Sequence, residues 1–214
     1  ALLKRAKEGN LEAQKDLAMA YVRGDEIEQN YEEAFKYADK ESKIIIKLNM
    51  TSAYRYMGAY VTATNILDKM LDSSLIFRNE DSYLKEYTLL NLAETYFAVN
   101  DMTDFNSTIE KASNTYYYGP ENDLEDLKIL LDSYLIIKAI SENNLDLVPN
   151  YISEIEELEI KNKDVIYSEL EMIKTRSYGM YYKSIGEFDL ALDYFSKLER
   201  LADNEGASYV SLFS

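Results

Sequence analysis

Apolar residues recur every three or four positions through most of the 214-residue chain. This spacing places them on one face of a helix. The alternation of apolar and polar residues that is typical of half-buried strands is weak, and no Asn-Gly or Asp-Gly pair marks a β-hairpin. The hydrophobic pattern therefore predicts an all-α fold.

Short turns divide the helical runs at nearly regular intervals. Four of them centre on Gly58, Asn100, Asn143 and Gly186, with successive spacings of 42, 43 and 43 residues. Glycine and asparagine tolerate a left-handed backbone, so each position predicts the turn of a helical hairpin. An earlier turn is predicted around Gly24, 34 residues before Gly58. Together the turns predict about five helical hairpins in series.

One segment near the C-terminus resembles a tetratricopeptide repeat: YGMYYKSIGEFDLALDYF. Tyr178 and Gly179 stand where the family has its Leu-Gly pair, and Tyr182 follows three residues later. Ala191 and Phe195 match the signature of the second helix. The resemblance implies that Gly179 and Ala191 are small because the two helices of this hairpin cross closely.

The N-terminal segment is similar to the related Sel1-like repeat. Gly9, Ala13 and Ala18 are small where that family has small residues, Tyr21 is aromatic, and a longer turn follows Gly24. The segments between the two ends of the chain keep fewer of the family positions. The resemblance is therefore strong at the ends and weak in the middle.

The resemblance implies a single helical-repeat domain over residues 1–214. Its fold would be an all-α, right-handed α-α superhelix, or solenoid, of about five antiparallel helix pairs. Residues 205–214 would be a cap on the last hairpin or the first helix of a truncated next unit. The five units would occupy residues 1–41 (Sel1-like) and 43–78, 82–118, 123–162 and 165–204 (tetratricopeptide-like).

In repeat proteins of this kind the first helix of each unit lines a concave groove that binds a protein or a peptide. Asn49 and Asn91 would occupy equivalent groove positions in consecutive units. An amide can donate to a C=O and accept from an N–H at the same time, so two such residues could hold a peptide backbone. The alternative is that both asparagines are solvated polar residues on a helix face.

The same alignment predicts further groove residues. Tyrosines in the groove could anchor a ligand, and arginines could meet its carboxylates. The complete set of predicted binding residues is Asn49, Ser52, Arg55, Tyr87, Asn91, Glu94, Tyr134, Arg176, Met180 and Lys183.

Composition narrows the classes of function. The chain contains no cysteine and no histidine, which excludes a thiolate nucleophile, a cysteine–zinc site and a histidine general base. We therefore expect no catalytic site, no metal and no cofactor. The net charge of −16 disfavours direct contact with nucleic acid or with anionic membranes. No apolar run is long enough to span a membrane, and a cytoplasmic protein is expected.

These observations predict a non-catalytic module that binds a protein or a peptide. It would act as a scaffold or as the sensory part of a larger signalling protein. Two alternatives stay open. One is the ligand-binding domain of a peptide-pheromone-responsive transcription regulator, because the long units resemble those of pheromone receptors. The other is a regulatory domain attached to a signalling enzyme such as a nucleotide cyclase. A homodimer through the C-terminal end, near Phe213, is a further expectation.

Overall fold

The computed structural model describes most of the chain, in ranges separated by short gaps. Within these ranges all regular structure is helical and no strand occurs, which confirms the predicted all-α class. None of the helices in the same ranges is long and apolar enough to cross a bilayer. The described residues are 2–8, 10–23, 28, 30–38, 40–72, 82–115, 125–161 and 168–204.

The chain divides into two compact units, residues 1–84 and 85–214. The described part of the first unit contains α1 (Leu2–Lys7), α2 (Leu11–Arg23), α3 (Tyr31–Tyr37), α4 (Lys40–Tyr56) and α5 (Tyr60–Asp72). The described part of the second contains α6 (Ser82–Ala98) apart from its first three residues, α7 (Met102–Thr115), α8 (Glu125–Ser141), α9 (Val148–Lys161), α10 (Ser168–Ser184) and α11 (Phe188–Asn204). A 3-10 turn, Leu145–Leu147, leads into α9.

In the first unit, α2 packs against α1 and α3, α3 also contacts α4, and α4 packs against α5. Ala13, Ala18 and Ala34 are fully buried between these helices, where small side chains permit close approach. The rings of Tyr21 and Tyr37 stack with their centroids 6.5 Å apart. Alanine and tyrosine thus share this core with larger aliphatic side chains such as Leu17 and Ile46.

The four predicted turns are confirmed by the backbone. Gly58, Asn100, Asn143 and Gly186 have φ angles of +74°, +59°, +58° and +84°. These left-handed residues end α4, α6, α8 and α10 and allow the next helix to begin within a few residues. The predicted turn at Gly24 and the predicted cap at residues 205–214 lie outside the described residues.

In the second unit, α8 packs against α7, α9 and α10, and α10 also packs against α11. Gly179 explains the close approach of α10 and α11, because a Cβ atom added there would lie 2.8 Å from the ring of Phe195. The turns at Asn100, Asn143 and Gly186 join the two helices within a pair: α6 to α7, α8 to α9 and α10 to α11. The arrangement of all five predicted pairs as one solenoid stays a prediction.

Candidate functional site

A cavity of about 930 Å³ opens in the second unit, between helices α6, α8, α10 and α11. Its volume is at the upper end of the range typical of ligand sites. Most of its wall is apolar, and its polar lining residues all belong to α10. The lining residues are Phe97, Ile140, Arg176, Met180, Lys183, Ser184, Phe188, Ala191, Leu192, Phe195 and Leu198.

Helix α11 forms the most exposed wall of this cavity. Phe188 and Leu192 are 68% and 65% exposed, and with Phe195 they follow the i, i+4, i+7 spacing of one helix face. Leu198 and Ala202, on the buried side of the same face, pack into the core together with Phe195. Helix α11 therefore carries more apolar surface than its neighbours cover, which is typical of a surface that binds a partner.

The inner wall of the cavity is held in place by the guanidinium group of Arg176. Its Nη1 donates to Oε1 of Glu94 at 2.9 Å, and its Nη2 donates to Oε2 of Glu94 at 2.7 Å. The hydroxyl of Tyr134 donates to Oε2 of Glu94 at 2.8 Å. The guanidinium carbon lies 4.3 Å from the centre of the Phe97 ring. These contacts join α6, α8 and α10, and we call Glu94, Tyr134 and Arg176 the clasp.

The clasp changes what Arg176 offers to a ligand. A two-pronged arginine–carboxylate pair is among the strongest side-chain contacts, and both side chains are largely buried. The positive charge of Arg176 is therefore balanced by Glu94, while one face of its guanidinium covers Phe97. A ligand carboxylate could reach Arg176 in the predicted manner only by displacing Glu94.

The other predicted residues of the second unit fall into two groups. Met180 and Lys183 line the cavity. Asn91 is buried, and its Nδ2 donates to the backbone oxygen of Tyr87 on the same helix at 2.9 Å. Tyr87 itself is partly exposed. In this conformation the Asn91 amide holds its own helix backbone, so binding a peptide would require it to turn.

The remaining predicted residues lie on α4, in the first unit. Asn49, Ser52 and Arg55 are half-buried, and Nη2 of Arg55 donates to Oγ of Ser52 at 3.1 Å. Asn49 thus belongs to one unit and Asn91 to the other. The predicted pair of asparagines stays a prediction.

The alignment with first helices did not include the residues of α11. Phe188, Leu192 and Phe195, which line the cavity, are absent from the predicted set because the repeat pattern assigns groove contacts to the first helix of each pair. A signal was present in the sequence, since these three residues extend the apolar face of α11 that includes Ala191 and Leu198.

A separate group of charged side chains lies away from the cavity, on α6, α8 and α9. The Lys128 ammonium donates to Asp132 and, at 2.7 Å, to Oε2 of Glu154. Burial raises the pKa of Asp132 to about 6 despite this lysine. Burial also raises the pKa of Glu86 to about 8, and Oε1 of Glu86 has no hydrogen-bond partner among the described residues. Within the described ranges no group of carboxylates is arranged to hold a metal ion.

The described fold and the cavity define an all-helical protein with a partly uncovered apolar wall. Comparison with protein-family models, with curated protein sequences and with solved structures finds no match for the chain.

Proposed function

We propose that the second unit is a non-catalytic module that binds a segment of a protein or a peptide in the cavity. In this proposal its three helix pairs are tetratricopeptide-like hairpins. The module would serve as a scaffold or as the sensory part of a signalling protein. The single observation that carries the proposal is the exposure of Phe188 and Leu192 on the wall of a concave apolar site.

The energetics favour an apolar ligand segment. About two thirds of each of these two side chains is exposed, and burying that part would contribute about 1–2 kcal/mol for each. The wall is formed by helices, so its backbone hydrogen bonds are already made and a ligand does not have to supply partners for them. Because the wall is preformed, the receptor loses little conformational entropy when a ligand binds.

The chain offers a matched pair of positions that tests this proposal. Leu190 and Leu192 lie on the same helix and are 44% and 65% exposed, but only Leu192 lines the cavity. Peptides would be selected from a random dodecapeptide library on the unmodified protein. Their affinities would then be measured by fluorescence anisotropy for Leu190→Asp and Leu192→Asp.

We expect Leu192→Asp to weaken the selected peptides at least about tenfold, because it removes an apolar contact and places a charge in the wall. Leu190→Asp should bind as the unmodified protein does. Equal melting temperatures of the two variants would show that both remain folded. Equal loss of affinity in both, or no selectable peptide at all, would contradict the proposal.

A further inference from the structure

The charge of the cavity is opposite to the charge of the chain. The sequence carries 39 acidic and 23 basic residues. Among the described residues that line the cavity, the charged ones are nevertheless Arg176 and Lys183, and none is a carboxylate. Glu187 and Asp189, at the start of α11, are exposed but do not form part of the wall. The net charge of the cavity lining is therefore positive, whereas the net charge of the chain is negative.

The two cations are not equivalent. Arg176 is held by Glu94 through both of its terminal nitrogens, so its charge is already balanced. Lys183 is exposed in the last turn of α10, and its ammonium group makes no ion pair or hydrogen bond with any described residue. One uncompensated positive charge therefore borders the apolar wall.

We propose that the partner segment is apolar and carries a single carboxylate that pairs with Lys183. This inference rests on the proposed function, since it specifies the ligand of the same cavity. Lys183 and Phe188 flank the turn at Gly186, so the carboxylate lies at the end of the cavity where α10 and α11 are joined. The apolar side chain next to that carboxylate contacts Phe188, and the following ones contact Leu192 and Phe195.

A single carboxylate follows from the clasp. A second carboxylate in the ligand would find Arg176 already bound to Glu94, and exchanging one carboxylate for another gains little. A charge opposite Lys183 replaces only water, because that ammonium has no partner to lose. The expected effect is modest, since Lys183 is exposed and its pairs are screened by salt.

The test uses peptides selected from the random dodecapeptide library on the unmodified protein. Each selected peptide would be synthesised in two forms, with its acidic residue or with lysine in that position. Affinities would be measured for the unmodified protein, for Lys183→Glu and for Lys161→Glu. Lys161 is an exposed lysine at the end of α9 that does not line the cavity, so its variant controls for the change in net charge.

We expect the unmodified protein and Lys161→Glu to prefer the acidic form about tenfold, and Lys183→Glu to prefer the lysine form. A selected pool without acidic residues, or an unchanged preference in Lys183→Glu, would overturn the inference. If Leu192→Asp still abolished binding in that case, the proposed function would stand without it.

A second copy of the chain is the other occupant to consider. Sedimentation velocity would show a dimer that Leu192→Asp separates if the cavity binds another copy. That result would overturn the assignment to an acidic peptide segment, and a monomer that binds the acidic peptides would support it.

Discussion

Glu86 lies on α6 and is only 2% exposed, so ionisation of its carboxyl group is unfavourable. Its Oε1 is buried without a hydrogen-bond partner in the part of the chain that the structure describes, and the cation that acts on it, Lys128, is already bound to Asp132 and Glu154. Burial raises the pKa of Glu86 from 4.5 to about 8. Glu86 is therefore mostly protonated in the folded protein at neutral pH, whereas it is ionised in the unfolded chain.

The direction of the pH dependence follows from this difference. Between the two pKa values the folded state binds one more proton than the unfolded state, so stability falls as the pH rises through that window. The loss is small below pH 4.5 and complete above about pH 8. From pH 6 to pH 9, a pKa of about 8 against 4.5 corresponds to a loss of about 2.5 kcal/mol.

Glu86→Gln should remove most of this loss, because an amide of nearly the same shape does not ionise. We would measure urea unfolding of the unmodified protein and of the variant at pH 6 and at pH 9. The exposed Glu157, on α9, gives the control variant Glu157→Gln. Asp132, with a pKa of about 6, is already half ionised at pH 6, so its remaining contribution to the difference is only about 0.4 kcal/mol.

The expected result is a stability loss of about 2–3 kcal/mol between pH 6 and pH 9 in the unmodified protein and in Glu157→Gln. In Glu86→Gln the loss should fall below about 1 kcal/mol. The same loss in all three proteins would refute the argument that the buried Glu86 carboxyl controls stability in this range.

Two further predictions concern packing and the clasp. Gly179→Val should destabilise the protein by about 1–3 kcal/mol in urea unfolding, because even a Cβ atom there would lie 2.8 Å from the Phe195 ring. Unchanged stability would show that the ring moves away freely. Glu94→Leu and Arg176→Leu should each destabilise by about 2–4 kcal/mol, since each leaves a buried charge without its partner. The double variant should lose less than the sum of the two, and additive losses would show that the clasp does not couple α6 to α10.

The turns could be predicted from the sequence because they depend on single residues. A left-handed backbone angle is unfavourable for most side chains, so a Gly or Asn between two apolar helical runs is a local signal. Gly58, Asn100, Asn143 and Gly186 all carry that signal, and each has a positive φ angle. The close helix crossing at Gly179 was predictable for a similar reason, since only a missing side chain permits it.

The clasp could not be predicted in this way, because Glu94 and Arg176 are 82 residues apart in the sequence. The repeat pattern places both on the groove side of a first helix. It does not indicate that residues from first helices two repeats apart approach within hydrogen-bond distance. That contact depends on the curvature of the packed helices, which is a tertiary property that periodicity does not determine.

The clasp and the cavity together decide which interactions can supply binding energy. A ligand that engaged Arg176 would exchange one carboxylate for another and leave Glu94 without its partner, so the net gain would be close to zero. Covering the exposed two thirds of Phe188 and Leu192 removes apolar surface from water without breaking any contact, and this contributes about 2–4 kcal/mol for the two side chains together. The pair with Lys183 adds at most about 1 kcal/mol. Affinity should therefore depend chiefly on the apolar wall of α11, and the charge of Lys183 should select among apolar partners without determining whether they bind.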